Sequence, residues 1–174
     1  MIFLYRTHVY FNEGNYSEAV RWAANPAEYG YVQAQGILGV CYFSGKGGLK
    51  KDLSKAISLI SKSAEQGHIA AKAFLATCYE QGKGVKKNKE KAFSLYREAA
   101  NAGDIYAQRW MGLFYHEKYF SLCVNGKNLQ KGIRYKEYLR MACDWYEKAA
   151  QQGDELSEKM LNECRDLLYK IDSF

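Results

Sequence analysis

The stretch Leu38-Gly39-Val40-Cys41-Tyr42-Phe43-Ser44-Gly45 decides the fold, because it returns. Thirty-seven residues on it reads Leu75-Ala76-x-x-Tyr79-x-x-Gly82, and a further 36 on it reads Met111-Gly112-x-x-Tyr115, with Lys118 in place of the last glycine. A second block follows each copy. Lys55-Ala56 recurs as Lys91-Ala92, and Ser63-Ala64-Glu65-Gln66-Gly67 as Ala99-Ala100-Asn101-Ala102-Gly103. Ala149-Ala150-Gln151-Gln152-Gly153 is a third copy, displaced by 50 residues instead of 36. Upstream, Ala19 and Gly30 keep the 11-residue separation of Ala56 and Gly67. Self-similarity at a fixed period marks a chain built from stacked supersecondary units. The unit here is two helices and two turns, in about three and a half copies.

Helical spacing supports both halves of the unit. Leu53, Ala56, Ile60 and Ala64 form one apolar stripe at i, i+3, i+7 and i+11. Asp52 and Asn88 stand where a side-chain oxygen caps free amides, and Gly67, Gly103 and Gly153 stand where a left-handed residue closes a helix. The Ala-Ala pairs, Gly39 and Gly112 let two helices approach closely. A single hairpin leaves one face uncovered, so the copies must stack into a continuous core. Leu156, Met160, Cys164, Leu168 and Ile171 predict the inward face of a final capping helix, whose other face is charged.

These blocks resemble the Sel-1-like repeat, a relative of the tetratricopeptide repeat with longer turns. Ala34, Leu38, Gly39, Tyr42, Gly45 and Gly47 fit the family pattern, as do Ala71, Leu75, Tyr79, Gly82, Gly84 and Val85. Lys91, Ala92, Tyr96, Ala99, Ala100 and Gly103 fit its second half, and the likeness covers roughly residues 31–153. Tyr10 to Ala19 departs from it, with the short turn of an ordinary tetratricopeptide repeat. The resemblance implies an all-α, right-handed superhelical solenoid of antiparallel helix hairpins with a C-terminal capping helix. Residues 1–174 then form a single repeat domain. Within it lie a divergent tetratricopeptide-like hairpin at 1–30, repeats at 31–67, 68–103 and 104–153, and the cap at 154–174. The third repeat carries about 14 extra residues, at about 117–136.

Composition bounds what such a chain does. It is 48% hydrophobic and 25% charged over 174 residues, enough apolar material for a core and too much for a disordered tail. Met1–Tyr5 is apolar but is cut off by Arg6, so no secretory segment is read there, and no uncharged stretch is long enough to span a bilayer. A cytoplasmic location follows as the default. Residues 1–143 carry 21 Lys/Arg against 11 Asp/Glu, and residues 144–174 carry 4 against 8, so a basic body precedes an acidic end. The five cysteines, Cys41, Cys78, Cys123, Cys143 and Cys164, make no CxxC pair and have no histidine at metal spacing. They read as small buried hydrophobes in a reducing compartment, with a disulfide or a metal as the alternative.

Chemistry-bearing motifs are few. Gly45-Lys46-Gly47-Gly48 and Gly82-Lys83-Gly84-Val85 lack the Ser or Thr and the preceding strand of a phosphate loop, and read as turns. His8, His68 and His116 fall in different repeats without a nucleophile pattern, so no enzyme, cofactor or metal site is read. Lys46, Lys50, Lys51 and Lys55 fall in one turn region, and Lys83, Lys86, Lys87, Lys89 and Lys91 in the next. Lys127, Lys131, Arg134, Lys136 and Arg140 fall in the third. This basic edge, with Lys50, Lys51, Lys86, Lys87 and Lys89 at its centre, is a solvated turn edge, a docking strip for an acidic protein, or a track for nucleic acid. In the insertion, Tyr119, Phe120 and Leu122 either pack internally or present an aromatic anchor.

The resemblance also implies a concave groove lined by the first helix of each hairpin. Carried onto this chain, its positions are Gln33, Val40 and Phe43, then Thr77, Glu80 and Gln81, then Arg109, Leu113, His116 and Glu117. The implied work is non-catalytic protein binding through that groove. One form is an inhibitor or immunity protein that neutralises a cognate toxin. The alternative is an adaptor or scaffold that bridges two partners, and nucleic-acid binding along the basic edge ranks below both.

Overall fold

The computed structural model describes residues 2–124 and 132–173, with side chains for 5–123 and 135–173. Regular structure among these residues is helical throughout. The order is α1 (Ile2–Asn12), α2 (Tyr16–Glu28), α3 (Val32–Ser44), α4 (Leu53–Glu65), α5 (Ile69–Gln81), α6 (Lys89–Asn101), α7 (Ile105–Val124), α8 (Gly132–Ala150) and α9 (Glu155–Asp172). Two compact units divide the chain, residues 1–98 and 99–174, with the boundary inside α6.

In the first unit, the second helix of each hairpin buries the same three places. Ala19, Ala23 and Ala27 of α2 correspond to Ala56, Ile60 and Ala64 of α4, each 37 residues on, and all six are buried. The divergent first hairpin is therefore in phase with the repeats that follow. Gly39 faces α4 so closely that a methyl group on it would stand 2.6 Å from Ile60 Cγ1. Asp52 and Asn88 cap α4 and α6, accepting from the amides of Lys55 at 2.9 Å and Lys91 at 2.8 Å.

The turns are built for contact with the preceding hairpin. Gly45 and Gly82 end α3 and α5 in the left-handed region, at φ 67° and 73°. Two residues further, Gly47 and Gly84 lie on the second helices of the hairpins before them. A methyl group on Gly47 would strike the Tyr16 carbonyl at 2.5 Å, and one on Gly84 would strike Ile57 at 2.8 Å. Lysines finish the junctions, with Lys55 Nζ 4.4 Å from the Tyr42 ring centre and Lys91 Nζ 4.4 Å from that of Tyr79. Tyr42 and Tyr79 thus occupy equivalent settings.

The second unit departs from this pattern in three ways. First, its described insertion residues are helix and not loop. The helices α3 to α6 have 13 residues each, whereas α7 has 20 and α8 has 19. Lys118 replaces the glycine that would have ended α7, so the helix runs on. Second, Tyr115 meets Tyr138, ring to ring at 6.2 Å. Third, the buried face of α9 is turned from the expected one. Ser157, Leu161 and Cys164 are buried with Met160, Leu167 and Leu168 against them, while Leu156 and Ile171 are exposed. Asp154 caps α9 by accepting from Ser157 N at 3.1 Å. The core of this unit is Tyr119, Leu139, Ala142, Cys143, Tyr146, Leu161 and Cys164.

Candidate functional site

The first helices of three successive hairpins line one groove in the first unit. Its cavity of about 380 Å³ is bounded by His8, Phe11 and Asn12 of α1, Gln33, Gly36, Ile37 and Val40 of α3, and His68, Ala70, Ala71 and Phe74 at α5. Gly36 makes room, since a methyl group there would come to 3.2 Å from His68 Nδ1. Phe43 meets Phe74, a lining residue, edge to face at 5.0 Å. Asn12 reaches the His8 ring at 3.0 Å. Burial, with His8 nearby, pushes the His68 imidazole below its ordinary value, which favours its neutral form. Among the described residues, no Lys, Arg, Asp or Glu lines the cavity.

The expected groove residues divide by unit and by task. Gln33 and Val40 do line this cavity, and Phe43 braces it. Thr77 and Glu80 are instead tied inward. The hydroxyl of Tyr96, a residue fully buried, donates to Glu80 at 3.1 Å and shares a 2.9 Å hydrogen bond with Thr77. Gln81 is exposed. In the second unit Arg109 pairs with Asp154 at 2.6 Å, holding α7 to the start of α9. Charge reversal at Glu80 or Arg109 would therefore break the scaffold itself.

His116 and Tyr119 are corrections. Both are buried, Tyr119 in the apolar cluster that α7 forms with α8 and α9, and His116 beside Cys164 of α9. Cys164 Sγ lies 3.8 Å from His116 Nδ1, and the Tyr146 ring meets the imidazole edge-on. Burial lowers the His116 pKa, while the neighbouring Cys143 thiol and then burial raise that of Cys164, the reverse of an activated thiol–imidazole pair. Leu113, Glu117 and Phe120 remain exposed, and Phe120 stacks on His116 at 4.8 Å.

The lysines Lys50, Lys51, Lys86, Lys87 and Lys89 are all exposed. In the third turn region, Lys127 and Lys131 and the side chain of Arg134 lie outside the described residues. Lys136 forms an ion pair with Asp172, and Arg140 is exposed.

Sequence reasoning missed Phe11, Ile37, Phe74 and His68. A signal for two of them was present. Ile37, Phe74 and Trp110 occupy one repeat position, just before Leu38, Leu75 and Met111. A large apolar residue there points away from the face that the leucine and tyrosine already fill. The absence of charge from α3 was a second signal.

Repeated hairpins whose first helices frame an uncharged groove define an α-helical repeat protein with a surface for contact. The chain belongs to the Sel1 repeat family, which it matches over residues 32–68, 69–104 and 126–154. Proteins of this family are generally protein-interaction modules and typically non-catalytic scaffolds. The chain is 38% identical over 170 residues to the DAP3-binding cell death enhancer 1 of Rattus norvegicus, aligning 85% of itself with 33% of that protein. It thus spans about a third of the length of this relative. A Sel1 repeat protein from Oxalobacter formigenes has a similar structure, with TM-score 0.63 and 33% identity over 81% of this chain and 95% of that one. The protective antigen c5321 of uropathogenic Escherichia coli, with the same fold, gives TM-score 0.55 and 27% identity over 85% of this chain and 36% of its own. The fold class is thus an all-α hairpin solenoid. Among the described residues no helix is long and apolar enough to cross a membrane, and no cluster of His, Cys, Asp and Glu is placed to hold a metal ion.

Proposed function

We propose that the protein holds a segment of a partner protein in the groove of α1, α3 and α5, with an apolar side chain of the partner seated between Ile37, Val40 and Phe74. The observation that carries this reading is the cavity itself. It is preformed, mainly apolar, and edged by the amide groups of Asn12 and Gln33, the composition that anchors a peptide side chain. Lys50, Lys51, Lys86, Lys87 and Lys89 steer an acidic partner toward it without forming its floor.

Such a module acts as an inhibitor of one target, an immunity protein being one form, or as an adaptor. The adaptor reading has its own support in a second aromatic surface. Trp22, Pro26, Tyr29 and Tyr31 line a separate depression of about 450 Å³ beside Arg21 and Asn25, with Tyr29 84% exposed. The name of the rat relative likewise describes it as binding another protein.

Affinity capture from the native host, with stoichiometry measured on the purified complex, tests both. Val40→Glu, checked for fold by circular dichroism, is expected to weaken capture at least tenfold, or about 1.4 kcal/mol. Undiminished capture by Val40→Glu would remove the groove from consideration. A one-to-one complex favours the inhibitor. A ternary complex that loses one member with Tyr29→Ala and the other with Val40→Glu favours the adaptor.

A further inference from the structure

The second unit carries an exposed helix face that the groove does not use. Along α7, Tyr106, Leu113 and Phe120 stand seven residues apart, which puts them on one side of the helix. They are 46%, 41% and 49% exposed. The other side of α7 faces the core, where Ala107, Gln108, Met111, His116 and Tyr119 are buried. Arg109 and Glu117 flank Leu113, four residues to either side. Asp154 takes one nitrogen of the Arg109 guanidinium, whose side chain stays 25% exposed with further N–H groups to give. Glu117 is exposed and enters no ion pair among the described residues. The face belongs to α7 alone. At the corresponding places α3 has Gln33, Gly36, Val40 and Ser44, and α5 has Ala70, Ala73, Thr77 and Gln81, with no charge and no ring. Phe120 lies beyond the point where a glycine ends those two helices, so the lengthened α7 is what carries it.

The stripe has the same order from either end: ring, charge, leucine, opposite charge, ring. An antiparallel copy of α7, with the two-fold axis beside Leu113, brings Tyr106 to the level of Phe120 and Arg109 to the level of Glu117, twice over. A parallel copy in register would set Arg109 beside Arg109 and Glu117 beside Glu117. We propose that this face is an isologous contact between two copies of the chain, α7 packed antiparallel on α7 about Leu113. Leu113 and the two rings supply the apolar area. The Arg109–Glu117 pairs fix the direction, because like charges side by side penalise the parallel arrangement. One helix face from each copy is a small interface, so the dimer is weak and forms at concentrations on the order of 10 µM.

Sedimentation velocity of the full chain, from about 1 µM to about 200 µM, should show a monomer passing into a dimer. Leu113→Asp sets two carboxylates at the axis, and Glu117→Arg gives each Arg109 a like charge at its own level. Each should weaken the dimer at least about tenfold, with the fold checked by circular dichroism. Arg109 is left in place because it also holds Asp154. Val40→Glu, at the place in α3 that corresponds to Leu113, should leave the dimer unchanged, which separates this contact from partner binding in the groove. Cross-linking reads the register. In a Cys123→Ser chain, which lacks the exposed native thiol, Leu113→Cys should join to its own copy under mild oxidation. Tyr106→Cys and Phe120→Cys should each fail alone, since each lies about 21 Å along the helix from its own copy at 1.5 Å per residue. Mixed together, those two chains should cross-link. A chain that stays monomeric at the highest concentration overturns the proposal. So does a dimer that Leu113→Asp and Glu117→Arg both leave intact, or a cross-link through Tyr106→Cys or Phe120→Cys alone with none through Leu113→Cys.

Discussion

Tyr96 and Tyr146 occupy one repeat position, 50 residues apart, and both are fully buried. Their hydroxyls meet opposite fates. That of Tyr96 is bonded to Thr77 and Glu80. That of Tyr146 has no hydrogen-bond partner among the described residues, because His116 and Leu113 stand where Glu80 and Thr77 stand one repeat earlier. Tyr96→Phe is therefore expected to cost about 1 kcal/mol, since it strands two partners, whereas Tyr146→Phe should fall within about 0.5 kcal/mol of wild type or stabilise it. Urea denaturation of the two variants makes the comparison, and equal losses would contradict it. Gly112 belongs to the same contact. A methyl group there would come to 2.5 Å from the Tyr146 ring, and a rigid ring has nowhere to retreat. Gly112→Ala should cost about 1–3 kcal/mol by the same measurement. The need for small residues at Gly39 and Gly112 was legible from their recurrence. What they pack against was not, because Ile60, Tyr96 and Tyr146 share a place without sharing a residue type.

At the scale of the element, α7 shows what one residue does to a hairpin. Glycine ends α3 and α5 in a left-handed turn, and Lys118 at the corresponding place lets α7 continue to Val124. The continuation carries Tyr119 into the core with α8 and α9, while His116, two residues before the break, is buried where the first unit has Glu80. The sequence showed where the pattern broke, at Lys118. It did not show the direction of the added turns, which is fixed by packing against α8 and α9. A buried neutral imidazole has a consequence for stability. Unfolded, His116 takes up a proton near pH 6.5; folded, burial lowers that value, with Glu163 opposing weakly. Between the two values the unfolded chain binds more protons, so acid favours unfolding. The contribution of His116 is complete above pH 6.5 and is lost as the pH falls toward the folded value, and His68 acts in the same sense in the first unit. Thermal melts from pH 8 to pH 5 should therefore show a falling Tm, with a shallower slope in His116→Leu. Parallel slopes would mean that the imidazole titrates alike in both states.

The charge of the whole molecule is unevenly spread. Residues 1–98 hold 14 Lys/Arg against 8 Asp/Glu, and residues 99–174 hold 11 of each. The exposed lysines of the turns supply that excess, while among the described residues no charged side chain lines the groove in the same unit. Periodicity made the lysine edge and the hairpin stack readable, since both repeat. The groove draws on α1, whose sequence departs from the repeat, so that part of its wall (His8, Phe11 and Asn12) was invisible to self-comparison. On the proposed reading, charge outside the groove and none among its described lining residues give the two surfaces different kinetic roles. Long-range attraction accelerates encounter, whereas desolvated apolar contact sets the lifetime of the complex. Surface plasmon resonance with the captured partner separates them. Reversal of Lys86, Lys87 and Lys89 to Glu should slow association about tenfold at low salt and leave dissociation unchanged. Its deficit should vanish at about 0.5 M salt, where screening shortens the reach of charge to a few ångströms. Val40→Glu should do the opposite, speeding dissociation at least about tenfold with association within about threefold of wild type. If instead the lysine variant dissociates faster and Val40→Glu does not, the partner rests on the turns, and the groove is only a gap between helices.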